Sequence, residues 1–324
     1  MAIKGRCPSR KSRLIHRSCA GNSAGAILPA MLALPSQPAF IIPSQCVLAE
    51  GPVWDDRAAC LWFTDIQKSE LLCWHHDARR LERFALPERL GSLALTDDPD
   101  RLLLALANGF ALFTPASGRI EWLHRLDLEA QGMRLNDGRV DRQGRFWTGA
   151  MVEDDARAPP ERGALYRFDP PGTAPPEALR GGISISNSIC FSPDGAHAYF
   201  ADSTKGRILR YPANGPLGDG ELFARTEPGS APDGSDVDAA GRLWNAEWGG
   251  SRVTAYNPDG TVAGRLALPV SQVTCAAFGG PALDLLFVTS ASEGLDRAAE
   301  PHAGDVLVYE GRFQGLPAGR FRLA

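Results

Sequence analysis

Apolar positions fall into strand-length runs that recur along the chain at a nearly constant spacing. The clearest run reads LWFTDI (61–66), LLLALA (102–107), RFWTGA (145–150), AYFADS (198–203), RLWNAE (242–247) and LLFVTS (285–290). With Phe63, Leu104, Trp147, Phe200, Trp244 and Phe287 as equivalent positions, the steps are 41, 43, 53, 44 and 43 residues. A strand precedes each landmark, in EGPVWD, GSLALT, NDGRVD, NSICFS, DGSDVD and TCAAFG, and tight turns such as DRQG, SPDG and DAAG join the two. Two more strands follow, for example GRILRYP in one copy and RIEWLHRL in another. Nothing carries an apolar face at helical spacing over three turns. The long step holds insertions at 153–162 and 170–177.

Four strands repeated six times at this period predict an all-β fold, a six-bladed β-propeller with four-stranded antiparallel blades. A propeller must close, so the surplus strand IIPSQCVL (41–48) is expected to pair with the last blade and leave no exposed edge. The propeller then spans 41–324. Residues 1–40 read as an extension, either disordered, an over-long start or a targeting signal, because a basic stretch precedes an apolar segment broken by Pro29 and Pro35.

Charge adds a constraint on partners. Six cations (Lys4, Arg6, Arg10, Lys11, Arg13, Arg17) lie before Glu50, the first acid, and the remaining chain holds 28 basic against 38 acidic residues. An acidic body argues against nucleic acid or an anionic membrane and suits a bound cation. No apolar run reaches the ~18–20 residues that span a bilayer. The seven cysteines are scattered without metal-ligand spacing, which favours free buried thiols and a reducing, cytoplasmic compartment, with export the alternative if 1–40 is a signal; a monomer is expected.

Candidate chemistry comes from the alignment of the repeats. Glu50, Gly91, Asn136, Asn187, Asp233 and Thr274 occupy one position, the start of each blade's innermost strand. Radial blades place these six in a ring around one mouth of the channel. Four of the six are acids or amides on otherwise apolar strands, and burying such groups without partners costs several kcal/mol each. A shared cation satisfies them together. An all-oxygen set without His or Cys suits a hard divalent ion, and three protein ligands leave coordination positions open, as a catalytic metal requires. Taken singly, Asn136-Asp137-Gly138 also reads as a turn, and Glu50 as a solvated acid at a strand end. No GxSxG elbow, HExxH pair or phosphate-binding glycine loop is present.

Several long motifs now stand in order: AEGPVW (49–54), RLNDGRVDRQGRFWTGAM (134–151), GALYRFD (163–169), SNSICFSPDG (186–195), APDGSDVDAAGRLWNAEWGG (231–250) and TCAAFGG (274–280). Together they resemble the senescence marker protein/gluconolactonase/regucalcin family of lactonases. The resemblance implies that Glu50, Asn187 and Asp233 bind one divalent metal ion (Ca, Mn, Mg, Zn or Fe) and that Arg134 and Asn136 contact substrate. By register it also implies a substrate-contacting acid at Asp154, flanked by Glu153 and Asp155.

The expected activity is hydrolysis of a small sugar lactone, such as glucono- or L-arabinonolactone, to its aldonic acid. Asp233 is the expected general base, with a dual role as metal ligand. Two other readings stay open: a calcium-binding propeller without catalysis, and a hydrolase of aryl esters or organophosphates. An apolar pocket over the metal favours the last.

Overall fold

The computed structural model describes residues 31–323, so the reading of residues 1–30 as an extension or signal, together with Cys7 and Cys19, lies outside the described residues. Five sheets have four strands and the sixth gains a short fifth strand, giving the six blades of a propeller. The innermost strands are Ala49–Asp55, Leu90–Thr96, Met133–Val140, Ser186–Phe191, Ala231–Val237 and Val273–Gly279, in blades 1 to 6. Each pairs antiparallel with the landmark strand that follows it. Helical structure among the described residues is confined to two single turns, Glu129–Gln131 and Ser203–Lys205.

Sequence dictates the turns between these strands in a repeated way. In DRQGRFW, Asp141 Oδ1 accepts from the Gln143 and Arg145 N–H groups at 2.9 Å, and Oδ2 accepts from the Trp147 indole at 2.9 Å. In DAAGRLW, Asp238 accepts from the Ala240 and Arg242 N–H groups and from the Trp244 indole in the same way. A short acid thus holds the turn and anchors the buried tryptophan of the next strand. Trp147 and Trp244 are 2% and 1% exposed, so these aromatics are core residues.

Closure combines the two ends of the described chain. Phe40–Ile42 pairs with Val306–Glu310 as the outer strand of blade 6, which joins N-terminal to C-terminal sequence. Residues 43–48 run on to blade 1 rather than extending this strand. The packed chain also starts earlier than residue 41: the Leu32 N–H donates to Ala263 O at 2.8 Å, and Leu32 and Leu34 pack on the core shared by blades 5 and 6. Their side chains cover Gly264, whose missing Cβ leaves the room they occupy.

After blade 6 the chain crosses the channel mouth at which the innermost strands end. The Ala239 N–H donates to Gln314 O, Arg142 donates to Pro317 O, and Arg320–Phe321 adds in parallel to blade 2. Phe321 is fully buried and stacks on Phe168. Little space remains beneath this tail, about 30 Å³.

Candidate active site over the central channel

All six innermost strands break their pairing register near the ring position. The irregularities fall between Glu50 and Val53, Leu90 and Ser92, Leu135 and Gly138, Asn187 and Cys190, Pro232 and Ser235, and Val273 and Cys275. A bulge leaves residues unpaired and turns the local side chain out of the sheet alternation. Positive φ at Gly51 (56°) and Ser188 (61°) marks the residues after Glu50 and Asn187. The local sequences GP, NDG, NS and DG supply residues that tolerate such geometry.

The bulges deliver Glu50, Asn136, Asn187 and Asp233 to one cavity of about 350 Å³, a volume suited to a small molecule. Arg134, two residues before Asn136, lines the same cavity. Its walls are apolar, from Leu48, Met151, Ile185 and Trp248, and Glu293 stands at its rim. Trp248 packs against Leu48, Ile66 and Ala291.

Electrostatics at the ring are unbalanced. Glu50 and Asp233 are 7% and 6% exposed. Burial first, then the charge of Asp137, pushes the Glu50 carboxyl up to about 8. Burial also holds Asp233 well above the ordinary carboxylate range, with repulsion from Glu50 and Asp137 adding to it, and the two carboxyls share a hydrogen bond. Asp137 lies just below, raised by burial although Arg139 opposes the shift. Two neighbouring buried carboxyls, each disfavoured in its charged form by burial and by the other, are a natural seat for a cation.

The amide between them is oriented for the same purpose. Asn187 Nδ2 donates to Ser203 Oγ at 2.9 Å, and that hydroxyl donates to Pro232 O at 2.7 Å. The amide nitrogen is thereby turned away, leaving Oδ1 as the acceptor, which receives Asn136 Nδ2 at 3.1 Å with a lone pair to spare. Glu50, Asp233 and Asn187 Oδ1 form an all-oxygen donor set that fits a hard divalent ion. Among the described residues no group of three or more His, Cys, Asp and Glu side chains offers another.

Asn136 has a different part. Its two amide N–H bonds go to Ser186 O at 2.9 Å and to Asn187, and its carbonyl accepts from Arg134 Nη1. Its donors are spent on neighbours rather than left for substrate. Asp154, unlike Asn136, does not line the cavity. Its carboxylate pairs with Arg157 at 2.6 Å and accepts from the Ala156 N–H, and the Arg157 bond lowers its pKa. The acid that reaches Arg134 is Glu153, at 3.1 Å from Nε, because consecutive residues leave a strand end on opposite sides.

Sequence reasoning did not single out Ser203, Trp248 or Glu293. Glu293 had a visible signal: the stretch between LLFVTS and GDVLVYE is long, and it forms a loop at this mouth. No later landmark follows blade 6, so the repeat spacing did not register it.

A sequence profile described as the SMP-30/Gluconolactonase/LRE-like region matches residues 48–292. L-arabinolactonase of Azospirillum brasilense is 40% identical over 291 residues, covering 88% of this chain and 95% of that protein. The 6-deoxy-6-sulfogluconolactonase of Pseudomonas putida is 35% identical over 265 residues, covering 80% and 88%. Among solved structures, a calcium-binding protein, regucalcin, of Agrobacterium tumefaciens superposes with a TM-score of 0.82 at 34% identity, covering 90% of this chain and all of that one. The bulged ring, the motifs that build it and these matches have one reading: the chain belongs to the SMP-30/gluconolactonase/LRE-like family.

Proposed function

We propose that this protein hydrolyses a small sugar lactone, with L-arabinonolactone the first candidate and gluconolactone the second, using one divalent metal ion held by Glu50, Asn187 and Asp233. In class it is a carboxylic-ester hydrolase. The observation that carries the reading is the convergence of these three ligands with Arg134 in one cavity of about 350 Å³. The 40% identical L-arabinolactonase supports the choice of lactone.

When bound, a divalent ion supplies Lewis-acid polarisation of an ester carbonyl and offsets the charge of the two acids. The chain's own groups do the rest. Asp233 takes the proton of the attacking water as the water oxygen bonds to the carbonyl carbon. The ring C–O bond then breaks, its oxygen takes the proton back from Asp233 and leaves as a hydroxyl, and the carboxyl product loses a proton at neutral pH. Arg134 presents Nη2, which has no partner among the described residues, to the sugar hydroxyls and orients the ring. Asn136 keeps Arg134 and Asn187 in register.

The apolar walls give one alternative a specific footing, since Leu48, Met151, Ile185 and Trp248 would also accept an aryl ester. One panel separates the readings. Metal-stripped protein is reconstituted with single ions (Ca, Mn, Mg, Zn, Fe) and assayed on aldonolactones, phenyl acetate and an aryl phosphotriester. Metal-dependent turnover with the highest kcat/KM on an aldonolactone is expected. A higher kcat/KM on phenyl acetate or the phosphotriester transfers the assignment to that ester class. Background rates on every substrate despite bound metal would leave a calcium-binding propeller.

A further inference from the structure

Arg134 is held by a chain of contacts that begins one blade away. Glu129 Oε2 accepts from Asn108 Nδ2 at 2.7 Å, and the Glu129 N–H donates back to Asn108 Oδ1 at 2.8 Å. Arg89 bridges two acids, donating to Glu129 at 2.8 Å and to Glu153 at 2.6 Å. The same Glu153 oxygen receives Arg134 Nε at 3.1 Å. Arg134 is 4% exposed, and its Nη1 is committed to Leu135 O and Asn136 Oδ1. Among the described residues, Nη2 alone has no partner and is left for a ligand.

A buried guanidinium carries a large desolvation cost unless a carboxylate faces it. Glu153 meets that need: burial opposes its ionisation, but the Arg89 bond and the Arg134 charge outweigh burial and hold its carboxyl below the ordinary value. Glu153 is half-buried beside the cavity and does not line it. Arg89 occupies its other side, so Glu153 cannot swing toward a substrate without giving up both partners.

Resting on the lactonase reading, the geometry points to Glu153 as a positioning residue for substrate recognition. It fixes Arg134 so that Nη2 meets the hydroxyls of a polyhydroxylated lactone, and it does not touch the substrate itself. Arg89 and the Asn108–Glu129 pair extend the support into blade 2. The role separates hydroxyl recognition, carried by Arg134 and its supports, from the metal ligands Glu50, Asn187 and Asp233.

The test is a kinetic split. Glu153→Gln, metal-loaded, is compared with wild type on L-arabinonolactone and on γ-butyrolactone, which has no ring hydroxyls. The expected result is a KM for the sugar lactone raised about tenfold, the scale of one weakened charge-assisted hydrogen bond, with kcat within about twofold. The kinetic constants for γ-butyrolactone and the affinity for Mn²⁺ by calorimetry stay at wild-type values. Arg89→Met, which alters no cavity residue, should move KM in the same direction by less, and it carries the test if Glu153→Gln misfolds. An unchanged KM for the sugar lactone, or equal losses on both lactones, overturns the role. If wild type hydrolyses neither lactone, the lactonase reading falls and this role falls with it.

Discussion

The two ends of the central channel are made from the same six strands and are built on opposite rules. Where the strands begin, every one is bulged, and acids and amides stand over an open cavity of about 350 Å³. Where they end, turns held by Asp141 and Asp238 satisfy their own polar groups, and the C-terminal tail leaves about 30 Å³. At the first end Glu50 and Asp233 make no direct ion pair, although the charge of Arg134 reaches Glu50 across the cavity; at the second, Arg145 and Arg242 pair with the turn acids. Local rules broken at one end and kept at the other separate chemistry from stability along a single strand.

The sharpest way to break this contrast is to change one acid at each end. Asp233→Asn should lower kcat on the best lactone by about 10²–10⁴-fold, the range for a lost general base, while the metal-free fold keeps its melting temperature. The substitution removes one of two carboxyls that repel each other. Near-normal turnover would strip the ring of its catalytic role. At the other end, Asp238→Ala removes two turn bonds, the Trp244 indole bond and the Arg242 pair. A loss of about 3 kcal/mol in denaturant unfolding is expected, with kcat/KM of the folded protein unchanged. Lost activity at full stability would show that the two ends are not independent.

Smaller effects sharpen the wet end. Ser203→Ala frees the Asn187 amide to rotate and should weaken divalent-ion affinity about tenfold in a calorimetric titration. Equal affinity in the variant would mean that Asn187 needs no orienting partner. The last prediction concerns pH. Folding raises Glu50 from 4.5 to about 8 in the metal-free protein. A carboxyl raised on folding stabilises fully below its unfolded value and loses that contribution as pH climbs through the folded one. Metal-free protein should therefore lose stability from about pH 4.5 to 8, and a bound divalent ion should flatten the slope. Because binding displaces a proton, affinity should rise by less than about tenfold between pH 7 and 8. A pH-independent affinity would place the ion away from Glu50.

Much of this arrangement was readable from the chain. The period of the apolar strands carried the blade count, and their alignment placed Glu50, Asn187 and Asp233 at one radial position. The closing strand was expected in the right place, although it pairs over Phe40–Ile42 and the chain already packs from Leu32. Asp154 shows where the register argument stops. One residue along a strand end reverses the side chain, and only the contacts with Arg89 and Arg134 single out Glu153.

Repetition alone determined the architecture and the ring, because equivalent positions in radial blades must meet at the axis whatever their side chains do. Partnership was decided by the tertiary structure. Asn136 and Asn187 are the same residue type at the same position, yet the first spends its amide on Ser186, Asn187 and Arg134 while the second keeps an oxygen available. The apolar walls from Met151, Ile185 and Trp248, and the rim acid Glu293, likewise come from other strands and loops. Hydrogen-bond capacity and burial depend on neighbours some fifty residues away in sequence, so they come into being only when the blades pack.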